Sequence, residues 1–244
     1  MARSSTKRSS SRSRQQENTR RISWPIIGAI ALVAVIVVVV LIQLGRPKET
    51  TTADSNPYAN LPKGITEEGL HYLGDANAQL TIREYEDFGC PNCRDFAANV
   101  EPSLLQDFIA TGKVRLVSYP VAFVNNQSLP GAEAAACAAE QGKYWEFRHL
   151  LFANLGTQPF VRNNLIAMAG VAGANTDEFG QCLDQDRYLT EVIDKTRAAN
   201  AFGITGTPTF EINGTRYEGY RPYESNDPNI LGMKALIEAE MSEN

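Results

Sequence analysis

The stretch "EYEDFGCPNCRDF", residues 84–96, decides how the rest of the chain is read. A run of strand-forming residues, "LTIREYEDF", ends here, and a helix opens on two cysteines three positions apart, Cys90 and Cys93. Period-2 alternation puts Ile82, Glu84 and Glu86 on one face of the strand. A cysteine at a helix N-terminus meets unpaired backbone N–H groups and the positive end of the helix dipole, and both favour thiolate over thiol. Pro91 is tolerated in the first turn, where its missing N–H costs nothing. The spacing sets Cys93 one turn further in, on the same face and more sheltered. That arrangement suits a reactive Cys90 and a resolving Cys93. A C-x-x-C pair is also half of a zinc site, and a plain structural bridge is a third reading. The compartment in which the sulfurs sit bears on the choice.

Charge along the chain speaks to the compartment. Residues 1–45 carry seven basic side chains (Arg3, Lys7, Arg8, Arg12, Arg14, Arg20, Arg21) and one acid, Glu17. The remainder holds 23 − 7 = 16 basic and 28 − 1 = 27 acidic residues, a net of −11. An acidic body disfavours nucleic acid as a partner, because phosphate binding needs a basic surface. The head, residues 1–23, is rich in Ser and Arg, cannot build a core, and is expected to be a disordered cytoplasmic tail. Next comes "WPIIGAIALVAVIVVVVLIQL", residues 24–44, with no charge in 21 positions. As a helix it would be about 31 Å long, which matches a hydrocarbon core of about 30 Å. A cleaved signal peptide is the rival, but its apolar region is shorter, and "GRPKETTTADS" offers no small-residue cleavage pattern. Residues 24–44 are therefore expected to be a retained signal anchor. The excess of basic residues before the span places the N-terminus in the cytoplasm and everything after it outside. All four cysteines then occupy a space where disulfides persist, which favours redox or staple roles over metal ligation.

Residues 45–65, rich in Thr and Pro, read as a linker. "GLHYLGDANAQ" suggests a short extended piece and a turn. The helix begun at the cysteines should run through "RDFAANVEPSLLQDFIATG", with Pro102 kinking or breaking it and Gly112 ending it. "KVRLVSYPVAF" is a second strong strand. A helical texture then fills residues of about 128–199, beginning with the Ala-rich "AEAAACAAEQGKYWEFRHLLFANL". Tyr144, Trp145, Phe147 and Phe152 look like core at helical spacing, and neither His71 nor His149 claims a chemical role. Strands return in "TPTFEINGTRYEGY", where Asn213-Gly214 signals a type I′ hairpin. A helix in "ILGMKALIEAEM" closes the chain. The order is strand, helix, strand, helical block, hairpin, helix, which one α/β sheet flanked by helices accommodates.

Cys137 and Cys182 stand singly, 45 residues apart, and not as a second C-x-x-C. A zinc site is thereby disfavoured, and the Cys90/Cys93 pair is read as redox-active with no metal and no prosthetic group. Two lone cysteines in an oxidising space most simply pair with each other, as a structural disulfide between Cys137 and Cys182.

"EYEDFGCPNCRDF" together with "FGITGTPTFEINGTRYEG" resembles the DsbA-like branch of the thioredoxin superfamily, the extracytoplasmic thiol–disulfide oxidoreductases, over residues 66 to 244. The resemblance implies a thioredoxin-like α/β fold carrying an inserted helical domain. It implies that Cys90 is the nucleophile and Cys93 the resolving cysteine. It also implies that Thr207-Pro208 forms a cis-proline loop facing the pair, with Thr207 presenting its backbone to an extended substrate. Glu84 matches an acidic residue beneath the site that could exchange a proton with Cys93 if buried. The implied partners are cysteine-containing secreted or envelope proteins and a quinone-linked membrane oxidase that restores the disulfide. One position departs from the strongly oxidising pattern. The dipeptide between the cysteines is Pro-Asn, not Pro-His, and Asn92 carries no positive charge. The acids Glu84, Glu86 and Asp87 would also oppose a thiolate if close. The expected function is therefore the introduction of disulfides at the cell membrane, on its outer side. A reductase or isomerase on the same fold, and a non-enzymatic anchored binding or chaperone module, remain as alternatives.

Overall fold

The alternation in Leu80–Glu86, strand β3, puts Leu80, Ile82, Glu84 and Glu86 on a face fully shut from solvent, in a computed structural model that describes residues 56–242. The tail 1–23 and the apolar stretch 24–44 lie outside the described residues. Among the described residues no helix is long and apolar enough to cross a membrane.

β3 runs parallel to β4 (Val114–Pro120), in register from Leu80 against Val114 to Glu86 against Pro120. Parallel strands need a crossover. Here it consists of α1 (Pro91–Asn99), the short α2 (Glu101–Leu104) and a π-helical turn at Leu105–Ile109. The break between α1 and α2 falls at Val100, two residues before the proline expected to cause it. Pro102 instead sits in the first turn of α2, where an N–H has no intrahelical partner to lose.

On the far side of β4 lie β2 (His71–Leu73) and then β1 (Lys63–Ile65), each antiparallel to its neighbour. On the far side of β3 lie β5 (Thr209–Ile212) and β6 (Thr215–Glu218), giving the order β1-β2-β4-β3-β5-β6. Asn213 and Gly214 join the last two strands with φ of 49° and 79°, the left-handed pair that a type I′ turn requires. The linker expected over 45–65 ends earlier than that. Tyr58 is 1% exposed, with its ring against Trp145, and β1 is already in the sheet, so the folded domain includes residues 56–65. The sequence hid this because a Pro- and Thr-rich composition says nothing of one buried tyrosine.

Between β4 and β5 come five helices: α3 (Ser128–Glu140), α4 (Tyr144–Asn154), α5 (Arg162–Val171), α6 (Thr176–Asp184) and α7 (Leu189–Ala201). α3 is apolar nearly all round, so it is buried as the centre of the block. A side chain at Gly131 would meet Phe88 at 2.9 Å and Phe160 at 3.1 Å, so glycine lets α3 approach the loop that carries the cysteines. Cys137 of α3 is disulfide-bonded to Cys182 of α6. α8 (Met233–Ser242) closes the domain, burying Met233, Leu236 and Ile237.

Candidate active site

The strand-to-loop turn after β3 is fixed by one buried carboxylate. Asp87 accepts from the backbone N–H of Gly89 at 2.7 Å, Phe123 at 2.8 Å and Val124 at 3.0 Å, while its own carbonyl accepts from Cys90 N at 2.9 Å. Asn125 reinforces the turn by donating from Nδ2 to Gly89 O at 2.6 Å. Asp87 thus spends its charge on backbone donors, and it positions the loop that presents Cys90.

Cys90 is the N-cap of α1, with extended φ and ψ of −87° and 119°, and Pro91 opens the helix. Its Sγ donates to the carbonyl of Thr207 at 3.2 Å. The Thr207–Pro208 peptide bond is cis, and Pro208 O accepts from Gly219 N at 2.8 Å, which ties this loop to the end of β6. Both thiols are free, with Cys90 5% exposed and Cys93 0%. A hydrogen bond from Cys93, helped by the Thr207 side chain and by the backbone N–H groups of Cys93 and Asn92, pulls the Cys90 thiol down to about 6, against the effect of burial. Burial pushes Cys93 well above the ordinary thiol range, and its neighbours Cys90 and Glu84 push the same way. The two sulfurs are therefore split into a ready thiolate and a reluctant one. Asn92 is exposed and contributes through its backbone N–H.

Beneath the pair lies a charge cluster that the sequence reading did not assemble. Arg148 of α4, fully buried, holds Glu84 Oε2 at 3.2 Å, Glu86 Oε2 at 2.7 Å and Glu101 Oε2 at 2.8 Å. The rings of Trp145 and Phe152 flank its guanidinium at 5.2 and 5.1 Å. Tyr58 donates to Glu101 Oε1 at 2.5 Å, and Ser118 donates to Glu86 Oε1. One cation faces three carboxylates. Burial first, and the charge of Glu86 second, raise Glu84 well above the usual carboxylate range, despite the pull of Arg148. Glu84 Oε1 has no hydrogen-bond partner. Glu84 is therefore not at a solvated strand edge but inside the domain, where burial and Glu86 favour its protonated form, and its charged form pushes the Cys93 thiol up. The concern that Glu84, Glu86 and Asp87 would repel a Cys90 thiolate is answered by Arg148 for the two glutamates and by the three backbone donors for Asp87.

A signal for Arg148 was present. In "YWEFRHLLF" it stands four residues after Tyr144 and four before Phe152, on the apolar stripe, where a charge needs a partner. Glu101, Tyr58 and Ser118 gave no such sign, since each is isolated in sequence from the others. His149 packs its ring on Tyr58 at 6.0 Å. His71 stacks on Tyr144 at 4.3 Å, and burial, with Lys195 nearby, lowers it to about 4. Among the described residues, no group of three or more His, Cys, Asp or Glu is placed to hold a metal ion.

A strand leading into a helix capped by a Cys-x-x-Cys pair, opposite a cis-proline loop, defines a thioredoxin-like protein, here with a five-helix block inserted between β4 and β5. A family model described as Thioredoxin matches residues 66–230, more than half of the chain, and the chain belongs to this family. Crystallised oxidised BdbD from Bacillus subtilis superposes with a TM-score of 0.64 at 22% identity, covering 75% of this chain and 98% of that one. Disulfide bond formation protein D of Bacillus subtilis is 24% identical over 187 residues, which are 71% of this chain and 78% of that protein. A 174-residue segment, 70% of this chain, is 32% identical to part of Na(+)/H(+) antiporter NhaA 3 of Salinispora tropica. The chain spans only about a quarter of that antiporter's length, 25%. A relative named "Putative protein-disulfide oxidoreductase", from Rickettsia typhi, is 26% identical over 152 residues, which are 61% of this chain and 56% of that protein.

Proposed function

We propose that this chain is a membrane-tethered thiol–disulfide oxidoreductase that introduces disulfides into cysteine-containing secreted or envelope proteins outside the cytoplasm. One observation carries the reading. Cys90 and Cys93 share a helix N-terminus, Cys90 faces the Thr207 carbonyl, and the two are driven to opposite acidities by their surroundings. In the oxidised protein a substrate thiolate attacks Cys90 Sγ, the Cys90–Cys93 bond breaks, and Cys93 leaves with the electron pair. Cys93, buried and reluctant to stay charged, takes a proton, for which Glu84 is the nearby acid. A second substrate thiolate then attacks the substrate sulfur of the mixed disulfide and expels Cys90 as a stabilised thiolate. The substrate loses two electrons and the pair gains them.

Thr207 and Pro208 are assigned to the substrate chain, which would pair with the backbone of their loop. The Cys137–Cys182 bridge is assigned a structural role within the helical block. Residues 24–44 are assigned to the anchor, and a quinone-linked membrane oxidase to the return of the pair to its disulfide. The test is direct. The oxidised full chain is mixed with a reduced, unfolded secreted protein and the disulfides formed are counted. The wild-type chain is expected to transfer about one disulfide per molecule, and Cys90→Ser none. Equal transfer by Cys90→Ser would contradict the assignment. Opening of the substrate's disulfides by the reduced chain, with no transfer from the oxidised one, would point to a reductase instead.

A further inference from the structure

On the side of β4 away from β3, the sheet and the helical block enclose a cavity of about 320 Å³, partly open to solvent, which the disulfide chemistry does not use. Its wall includes His71, Ser118, Tyr144, Glu191 and Lys195. Two of these residues also belong to the buried charge cluster. The Tyr144 hydroxyl lies 2.5 Å from Ser118 Oγ, and Ser118 Oγ donates to Glu86 Oε1. Since Ser118 spends its only proton on Glu86, Tyr144 must donate to Ser118, which leaves the Tyr144 oxygen free to accept from water in the cavity. Glu86 and Glu84 grip the same Nη2 of Arg148. A continuous line of hydroxyls therefore runs from the wall of the cavity to the carboxylates beneath Cys93.

We propose that Tyr144 and Ser118 are the proton inlet of the redox site, delivering a proton from cavity water to the buried carboxylates each time Cys93 is released as a thiolate. This rests on the oxidoreductase reading. The need is set by burial, because Cys93 and Glu84 are both 0% exposed and neither can draw a proton from bulk water directly. When Cys93 leaves, Glu84 gives it a proton and becomes a third carboxylate charge on Arg148, beside Glu86 and Glu101. The cluster then recovers one proton at Glu86. Cavity water protonates Tyr144 as Tyr144 passes its own proton to Ser118 and Ser118 passes its own to Glu86. Arg148 shifts its pairing toward the newly charged Glu84. One proton enters and one reaches Cys93, so the cluster keeps its total charge with its proton moved from Glu84 to Glu86; when the pair is reoxidised, Cys93 returns its proton to Glu84 and Glu86 loses its own along the same line. Lys195 is paired with Glu191 at 2.7 Å, and His71 is neutral above about pH 4, so neither places a net charge at the mouth of the line.

The test follows the reduction of the oxidised full chain by excess dithiothreitol in a single turnover, in light and heavy water. Samples are quenched in acid and the free thiols are alkylated. Tyr144→Phe keeps the ring between His71 and Trp145 and removes only the hydroxyl. It is expected to slow reduction at least about tenfold, within the range a positioned acid–base group contributes, and to enlarge the solvent isotope effect. Ser118→Ala is expected to slow it to the same degree, and the double variant no further, because both interrupt one line. The equilibrium with the dithiol should stay within about twofold of wild type, since a route changes no end state. Wild-type rate and isotope effect in Tyr144→Phe, or slowing without a larger isotope effect, or additive losses in the double variant, would each overturn the inlet. Failure of the wild-type disulfide to be reduced at all would overturn the oxidoreductase reading itself, and the inlet with it. Should Tyr144→Phe not fold, Ser118→Ala carries the same test alone.

Discussion

Replacing Cys93 with alanine removes the largest single cause of the lowered pKa of Cys90. The structure holds Cys90 at about 6, chiefly through the hydrogen bond from Cys93 and secondarily through the Thr207 side chain and two backbone N–H groups. At pH 7 such a thiol is about 90% thiolate, whereas one at the ordinary value of about 8.5 is about 3% thiolate. In terms of linkage, the depressed value favours the reduced form at pH above about 6, and the gain is lost as pH falls through that value. At pH 7 it amounts to about 1.4 kcal/mol, or about 30 mV toward a more oxidising disulfide. In Cys93→Ala the backbone donors and Thr207 remain, so the Cys90 titration should move up by about one to two units and not the whole way. The assay is the rate of Cys90 alkylation by iodoacetamide as a function of pH, with the inflection as the readout. A rate at one pH would mislead, because intrinsic nucleophilicity rises as the thiol becomes less acidic. An inflection in the reduced wild type above about pH 8, or one that stays put in Cys93→Ala, would refute the reasoning that the pair tunes itself through its own hydrogen bond.

Three further outcomes are expected. Arg148→Met leaves three buried carboxylates without their cation and should lower the unfolding free energy by about 3–5 kcal/mol, read from the urea midpoint; a loss below about 1 kcal/mol would mean the cluster is not the charge balance described. Glu84→Gln mimics the neutral acid and should change stability by less than about 1.5 kcal/mol, while slowing single-turnover reduction by about a hundredfold; an undiminished rate would remove Glu84 from the proton path. Cys137→Ala with Cys182→Ala opens a 45-residue loop and should cost about 2–4 kcal/mol in urea unfolding, with single-turnover reduction of Cys90–Cys93 within about twofold of wild type; a collapse of the redox reaction in a folded protein would show the bridge is not merely structural.

The parts of the site carried by local sequence were legible in it. A Cys-Pro-Asn-Cys stretch after an alternating strand states its own place at a helix N-terminus, and Asn213-Gly214 states its own turn, because both depend on neighbours within a few residues. The helical block between the strands was visible from its texture. The charge cluster was not, because Tyr58, Glu84, Glu86, Glu101, Ser118 and Arg148 come from four elements and from the segment before the first strand, and only packing brings them together. Glu84 and Glu86 could be read as sharing a face, but not as sharing one guanidinium. The same blindness set the domain boundary too late, since the burial of Tyr58 depends on Trp145 and Glu101, far along the chain.

The most direct test of the central claim is the equilibrium of the Cys90/Cys93 pair in the full chain against glutathione buffers, read by trapping free thiols. The pair is expected to remain reduced in buffers as oxidising as about −180 to −120 mV, the poise of isomerases and oxidases. Oxidation of the pair near about −270 mV, the poise of thioredoxin, would contradict a donor of disulfides and make the chain a reductase.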